Sequence, residues 1–94
     1  MSVSRKGKSI TFTADADTYA GVVFVAGLTM QVAGGSAGDR LRITDSGGSV
    51  IADYLVMSAT DNADLWAGRA PQFYDSVLIE DFPSGTCVLT MFVD

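Results

Sequence analysis

The 94-residue sequence contains no histidine and only one cysteine. Histidine is the commonest general base and metal ligand in proteins, so its absence excludes Ser-His-Asp catalysis and the usual zinc sites. A single cysteine cannot form an intrachain disulfide. Cys87 lies in an apolar run, where a small buried side chain is expected rather than a reactive thiol. We therefore predict no enzyme activity, no cofactor and no metal site.

Basic residues are also scarce, with six Lys and Arg against eleven Asp and Glu, which gives a net charge of −5. Nucleic-acid binding depends on clustered basic side chains, so no nucleic-acid partner is expected. Half of the basic residues, Arg5, Lys6 and Lys8, lie within the first eight positions. We predict that residues 1–8 form a basic arm. It is either a solvated tail or an anchor on an acidic protein surface.

The sequence has no long hydrophobic run. Its longest apolar segment, Ala20 to Met30, contains two glycines and is much shorter than the roughly 20 residues that span a bilayer. The first residues carry positive charge, but no apolar run follows them, as a secretory signal would require. The expectation is a soluble, unprocessed chain without a membrane partner.

The residues that are present favour one small β-domain. Hydrophobic residues make up 48% of the chain and charged residues 18%, a globular balance, and the length suits a single core. Short segments alternate apolar and polar residues, as Ile10 and Phe12 do within Lys8–Ala14, and turn clusters separate them. No segment has the pattern of a long helix. We predict that residues 9–94 form an antiparallel β-sandwich or barrel of about six to eight strands.

The stretch TDSGGS, residues 44–49, contains the Asp-Ser-Gly-Gly that surrounds the nucleophile of chymotrypsin-like proteases. The chain lacks the histidine that would accept the serine proton, and the match covers only four residues. The stretch also lies between two segments of strand character, Asp39–Asp45 and Ser49–Met57. We interpret it as a hairpin loop in which the Asp45 side chain bonds backbone amides and Ser46 is an exposed turn residue.

Two acidic pairs, Asp15 with Asp17 and Asp61 with Asp64, offer oxygen ligands of the kind that calcium prefers. Neither pair follows a calcium-loop pattern, so solvated acidic loops are the favoured interpretation. The second pair lies in Ser58–Pro71, which lacks strand alternation and is predicted to be a loop with at most one helical turn.

The same predicted loop holds the only tryptophan, Trp66, together with Arg69. The two side chains would suit a small contact site for a protein or a carbohydrate, although a lone tryptophan in a small domain more often fills the core, which we favour for Trp66. The last strand candidate, Thr86–Val93, is apolar on both faces and is therefore central or lies at an interface. The predicted partner-binding residues are Arg5, Lys6, Lys8, Trp66, Arg69, Val88 and Phe92.

Several short motifs follow one another in a fixed order from Val22 to the end of the sequence. They are Gly27-Leu28, Ala37 to Asp39, the alternating Leu41, Ile43 and Asp45, then Gly47-Gly48, Val50-Ile51 and Ser84-Gly85. In this layout, about three quarters of the chain resembles the small all-β accessory proteins encoded among the virion genes of tailed bacteriophages.

The resemblance implies a capsid cement or decoration subunit. Such a protein binds the major capsid protein on the shell surface, often as a homotrimer, and is soluble in the host cytoplasm before assembly into the virion. A phage tail or fibre component is the nearest alternative. A small carbohydrate-binding module, with Tyr54, Trp66, Phe73 and Tyr74 as an aromatic platform, and an enzyme using a carboxylate pair are alternatives from other classes.

Overall fold

The computed structural model describes residues 3–94, and within them the chain is all-β, which confirms the predicted fold class. All strand pairs are antiparallel, and together they form one sheet. These residues contain no helix that would be long and apolar enough to cross a membrane. The strands are β1 Val3–Lys6, β2 Ser9–Phe12, β3 Thr18–Ala33, β4 Arg40–Thr44, β5 Val50–Leu55, β6 Asp61–Asp64, β7 Gln72–Asp81 and β8 Thr86–Val93.

The long central strand β3 belongs to both halves of the sheet. The strand order is β1-β2-β8-β3-β7-β4-β5, and β6 pairs with β3 outside this path. The first half of β3 pairs with β7, whereas the second half lies between β8 and β6. The pairing register with β8 shifts between Val25 and Gly27, and a glycine inside a long strand is typical of such an irregularity.

The inward-facing apolar residues of both halves of the sheet pack into one hydrophobic core. The two-residue period of the strands places alternate apolar side chains on one face. Cys87 is buried in this core, as predicted, and burial raises the pKa of its thiol to about 11. Among the side chains with no exposed surface are Ile10, Phe12, Leu28, Met30, Leu41, Ile43, Leu89 and Met91.

The prediction of a continuous loop over Ser58–Pro71 is wrong at its centre. Residues Asp61–Asp64 form β6, which pairs with residues 29–32 of β3. The sequence DNAD has low intrinsic strand propensity, so tertiary pairing determines its conformation. The Asp61 carboxylate supports this pairing, because it accepts hydrogen bonds from the Tyr54 hydroxyl at 2.8 Å and the Met57 N–H at 3.0 Å.

Part of the predicted basic arm belongs to the sheet. Val3–Lys6 forms the edge strand β1, which pairs with β2 through a tight turn where Gly7 has a φ of 59°. Residues 1 and 2 of the predicted arm lie outside the described residues. Strand β1 is therefore hydrogen-bonded to β2 and is part of the same sheet as the rest of the domain.

A polar contact joins two turns at one end of the sheet. The Asp39 carboxylate accepts hydrogen bonds from the Ser36 N–H at 3.1 Å, the Ser84 N–H at 3.0 Å and the Ser84 hydroxyl. These bonds, chiefly the one from the Ser84 hydroxyl, lower the pKa of Asp39. Gly85 lies so close to the other turn that a Cβ on it would be 2.5 Å from the Gly34 carbonyl. The turn before β4 is thus fixed to the turn before β8.

Candidate functional site

Ser46 is an exposed turn residue whose two hydrogen-bond donors are both engaged within the chain. Its N–H and hydroxyl both donate to the Asp75 carbonyl oxygen, at 3.0 and 2.8 Å. The Asp45 carboxylate accepts the N–H groups of Gly47 at 3.1 Å and Ser49 at 2.9 Å. The interpretation of TDSGGS as a hairpin loop stabilised by Asp45 is confirmed. The turn also docks against β7.

Three of the four carboxylates in the two acidic pairs, those of Asp17, Asp61 and Asp64, accept hydrogen bonds from groups close to them. The Asp17 carboxylate accepts the Ala14 N–H at 3.0 Å. Asp61 and Asp64 lie on opposite faces of β6, because they are three positions apart on a strand. The Met57 N–H and the Tyr54 hydroxyl lower the pKa of Asp61. Within residues 3–94, no three His, Cys, Asp or Glu side chains come close enough together to hold a metal ion.

Trp66 lies in the core with 4% of its surface exposed, as the favoured interpretation predicts. The Arg69 guanidinium covers the ring at 3.7 Å from its centroid, a cation–π contact. The same guanidinium donates to the carbonyl of Ile51 at 2.8 Å and to the Tyr74 hydroxyl at 3.3 Å. The pair Trp66 and Arg69 therefore closes the core beside β5 and β7.

Three of the four aromatic residues expected to form the platform of a carbohydrate-binding module are buried or half-buried. Trp66 and Tyr74 are both buried, and their rings meet edge to face with centroids 6.2 Å apart. Tyr54 is half-buried and bonds Asp61. Phe73 alone remains widely exposed, at 70%.

The three basic residues near the start of the chain differ in their engagement. The Arg5 guanidinium bonds the Tyr19 hydroxyl at 2.7 Å and the Gly7 carbonyl at 3.1 Å. Lys8 forms an ion pair with Asp94 at 3.3 Å, between two strongly exposed side chains. Lys6 is exposed and has no ion pair with any residue of the described chain. Among these three described residues, Lys6 is therefore the one without an ion pair or a side-chain hydrogen bond.

Strand β8 has one face in the core and one face outward. Cys87, Leu89 and Met91 point inward. Of the two predicted contact residues, Val88 is half-buried and Phe92 is 46% exposed. The Phe92 ring lies over Gly27 of β3, where a Cβ would be 3.1 Å from its Cδ2 atom.

An exposed apolar cluster lies on the outer face of β3 and β7. Val22 is 66% exposed and Phe73 is 70% exposed, and the rings of Phe24 and Phe73 are in contact, with centroids 4.3 Å apart and planes tilted by 38°. Phe24 and Phe73 are register partners. Val22, Phe24 and Phe73 are called the aromatic patch below. The list of predicted contact residues missed it, although its signal was present in the run VVFV, which is apolar on both faces.

The outer face of β4 and its neighbours is charged and internally paired. The Arg40 guanidinium forms two hydrogen bonds with Asp53, and Arg42 donates to the same carboxylate at 3.0 Å. Arg42 also lies 3.5 Å from Glu80. The hydrogen bonds from Arg40 chiefly lower the pKa of Asp53. These charges satisfy one another and leave few open groups for a partner.

A scan against models of known protein families found no match, and searches of curated proteins and of solved structures found none either. No family is therefore assigned to the chain.

Proposed function

We propose that the chain is a structural virion subunit, a capsid cement or decoration protein that binds the major capsid protein and further copies of itself. The observation that carries the proposal is the aromatic patch. Large exposed apolar side chains that lie side by side are typical of protein contact surfaces. The resemblance of residues 22–94 to phage virion proteins supplies the class of partner.

The position of the patch suits a rigid contact. Its members lie on paired strands near the middle of the sheet, and their strands contribute Val23, Val25 and Tyr74 to the core from the opposite face. The backbone beneath Phe24 and Phe73 is therefore held in place before binding. A preorganised surface loses little conformational entropy on association. This favours a lasting assembly contact between copies, such as the one in a homotrimer.

The edge strand β1 and the turn that follows it supply a second, electrostatic contact. Lys6 and Lys8 are exposed on a protein whose net charge is −5. They would therefore orient the subunit with this edge toward an acidic patch of the shell. Arg5 contributes to the stability of the edge, because its guanidinium is engaged by Tyr19. Exposed ion pairs of this kind are screened by salt, so binding to shells should weaken as ionic strength rises.

Sedimentation velocity tests the contact between copies. We expect the wild-type chain to sediment as an oligomer, with a trimer at three times the monomer mass, and Phe73→Ser to sediment as a monomer. Met57→Ser is the matched control, because Met57 is 77% exposed but lies outside the patch. A wild-type chain that stays monomeric at every concentration, or a Phe73→Ser chain with unchanged mass, would contradict this assignment of the patch.

Co-sedimentation tests the partner. Shells are assembled from the major capsid protein encoded nearest to this chain, and purified tails of the same phage provide the second arm. Binding to shells supports the cement role, whereas binding to tails alone supports a tail or fibre component. The variant with Lys6→Glu and Lys8→Glu should keep its mass and bind shells less tightly. A chain that binds neither particle refutes the virion proposal.

A further inference from the structure

Polar side chains line part of the outer face formed by β6, β3 and β8. Two adjoining depressions, of about 340 and 310 Å³, lie on it, and both are lined by Gln31 and Asn62. Threonine hydroxyls and one carboxylate complete the polar lining. The amide face is defined here by Thr29, Gln31, Asn62, Asp64 and Thr86.

The chain has few side-chain amides, and most of them lie next to each other on this face. It contains one asparagine and two glutamines, and two of these three residues, Gln31 and Asn62, are direct register partners on β3 and β6. Both are exposed, and neither side chain bonds another group within residues 3–94. The third amide, Gln72, accepts a hydrogen bond from the Tyr74 hydroxyl at 2.9 Å. Two adjacent amides therefore stand open in a depression.

The position on a sheet face determines how a ligand would be recognised. This part of β3 lies between β6 and β8, so its backbone N–H and C=O groups are used by the ladders on both sides. A ligand on this face must therefore bond side chains. Amides and threonine hydroxyls each offer both a donor and an acceptor, which matches the hydroxyl groups of a sugar.

The charge of the lining selects against anionic ligands. No lysine or arginine lines either depression. The one carboxylate, Asp64, accepts the Trp66 N–H at 3.0 Å through one oxygen. A phosphate or a carboxylate would therefore meet no counter-charge and would be repelled by Asp64. The lining suits an uncharged ligand rich in hydroxyl groups.

Phe92 adds an apolar surface to the same face. It pairs with Gly27, two positions along the strands from the register pair of Thr29 and Thr90, and the residue is 46% exposed. The four residue-to-residue steps from Gly27 to Gln31 span about 13 Å of strand, the length of about two to three sugar rings. Phe92 lies beside the two depressions rather than in their lining, and it supplies the apolar contact that a small-ligand site combines with a few orienting polar groups.

We propose that the amide face binds a neutral oligosaccharide, with Gln31 and Asn62 bonding its hydroxyl groups and Phe92 contacting the apolar face of one ring. This site is separate from the aromatic patch and from β1. It does not depend on binding to shells.

Nuclear magnetic resonance of the ¹⁵N-labelled chain tests this directly, because only three side-chain amide groups contribute NH₂ signals. The probes are maltohexaose, cellohexaose and the hexamer of N-acetylglucosamine, each added to about 10 mM so that a millimolar Kd is detected. We expect at least one of them to shift the NH₂ signals of Gln31 and Asn62. The NH₂ signals of Gln72 should stay in place.

Variants and a charged probe complete the test. Asn62→Ala and Gln31→Ala should each weaken the shifting probe by about tenfold, whereas Gln72→Ala should bind it as the wild type does. Backbone spectra verify that each variant is folded. The anionic hexamer of galacturonic acid should not bind. The proposal is overturned if no neutral probe shifts the two amides, if Gln31→Ala binds the shifting probe as tightly as the wild type does, or if the anionic hexamer binds as tightly.

Discussion

Replacing Asp45 by alanine should destabilise the fold far more than its place in a turn suggests. Asp45 has only 9% of its surface exposed, and its carboxylate accepts N–H groups from Gly47 at 3.1 Å, Ser49 at 2.9 Å and, more weakly, Asp75 at 3.4 Å. Alanine would leave these donors without an acceptor in a partly dry site. Two good hydrogen bonds to a charged group, less partial replacement by water, give a loss of about 2 to 3 kcal/mol.

Urea unfolding followed by fluorescence measures this loss, because the single tryptophan is buried in the folded chain. For a domain of this size, the free energy of unfolding falls by about 1 kcal/mol per M of urea, so the midpoint should move down by about 2 to 3 M. Asp45→Asn keeps one acceptor oxygen and should lose about half as much.

Two further variants locate the effect in the carboxylate. Ser46→Ala removes one neutral hydrogen bond, to the Asp75 carbonyl, and should cost about 1 kcal/mol. Asp15→Ala alters an exposed carboxylate in another turn and should change stability by less than about 0.5 kcal/mol. If Asp45→Ala matches Asp15→Ala, the hydrogen bonds of the turn contribute nothing, and the interpretation of TDSGGS as a stabilising hairpin loop is refuted.

Two other predictions concern the joined turns and the response to acid. Gly85→Ala should lower the free energy of unfolding by at least about 2 kcal/mol, because the new Cβ would meet Gly34 at 2.5 Å on a backbone with φ of 76°; a wild-type midpoint would show that the turns are not in contact. Hydrogen bonds lower the folded pKa values of Asp39, Asp53 and Asp61 below 3.8, so their stabilisation is present above pH 3.8 and is lost as pH falls through the lower folded values. The urea concentration at the unfolding midpoint should therefore decrease as the pH is lowered below about 4. The decrease should be less steep in Asp39→Asn, and a midpoint that stays constant down to about pH 2 would contradict the assigned bonds.

The sequence predicted the parts of the fold that depend on local patterns. Alternation in Lys8–Ala14 gave the inward Ile10 and Phe12, and glycines with Asp45 predicted the turn that the structure contains. Hydrophobic period and turn chemistry act over a few residues, so they can be recognised in a single sequence.

What the sequence did not reveal depends on pairing between distant segments. Strand β6, with the letters DNAD, has no strand signal and exists because residues 29–32 of β3 offer it a partner. The neighbours of Asp39 and Arg69 were hidden for the same reason, since Ser84 and Ile51 are far from them in the chain. The aromatic patch likewise required knowing that Phe24 and Phe73 are register partners.

The residues discussed above fall into two classes, those that stabilise the fold and those that test the proposed contacts. Most polar groups that the sequence singled out bond within the chain: Ser46 bonds Asp75, Asp61 bonds Tyr54, and Arg69 covers Trp66. These residues stabilise the fold, so variants of them should report chiefly on unfolding. Phe73, Gln31 and Asn62 are exposed without such a role. Their replacement should cost little stability, so any loss of self-association or of sugar binding in those variants can be assigned to the contact surface itself.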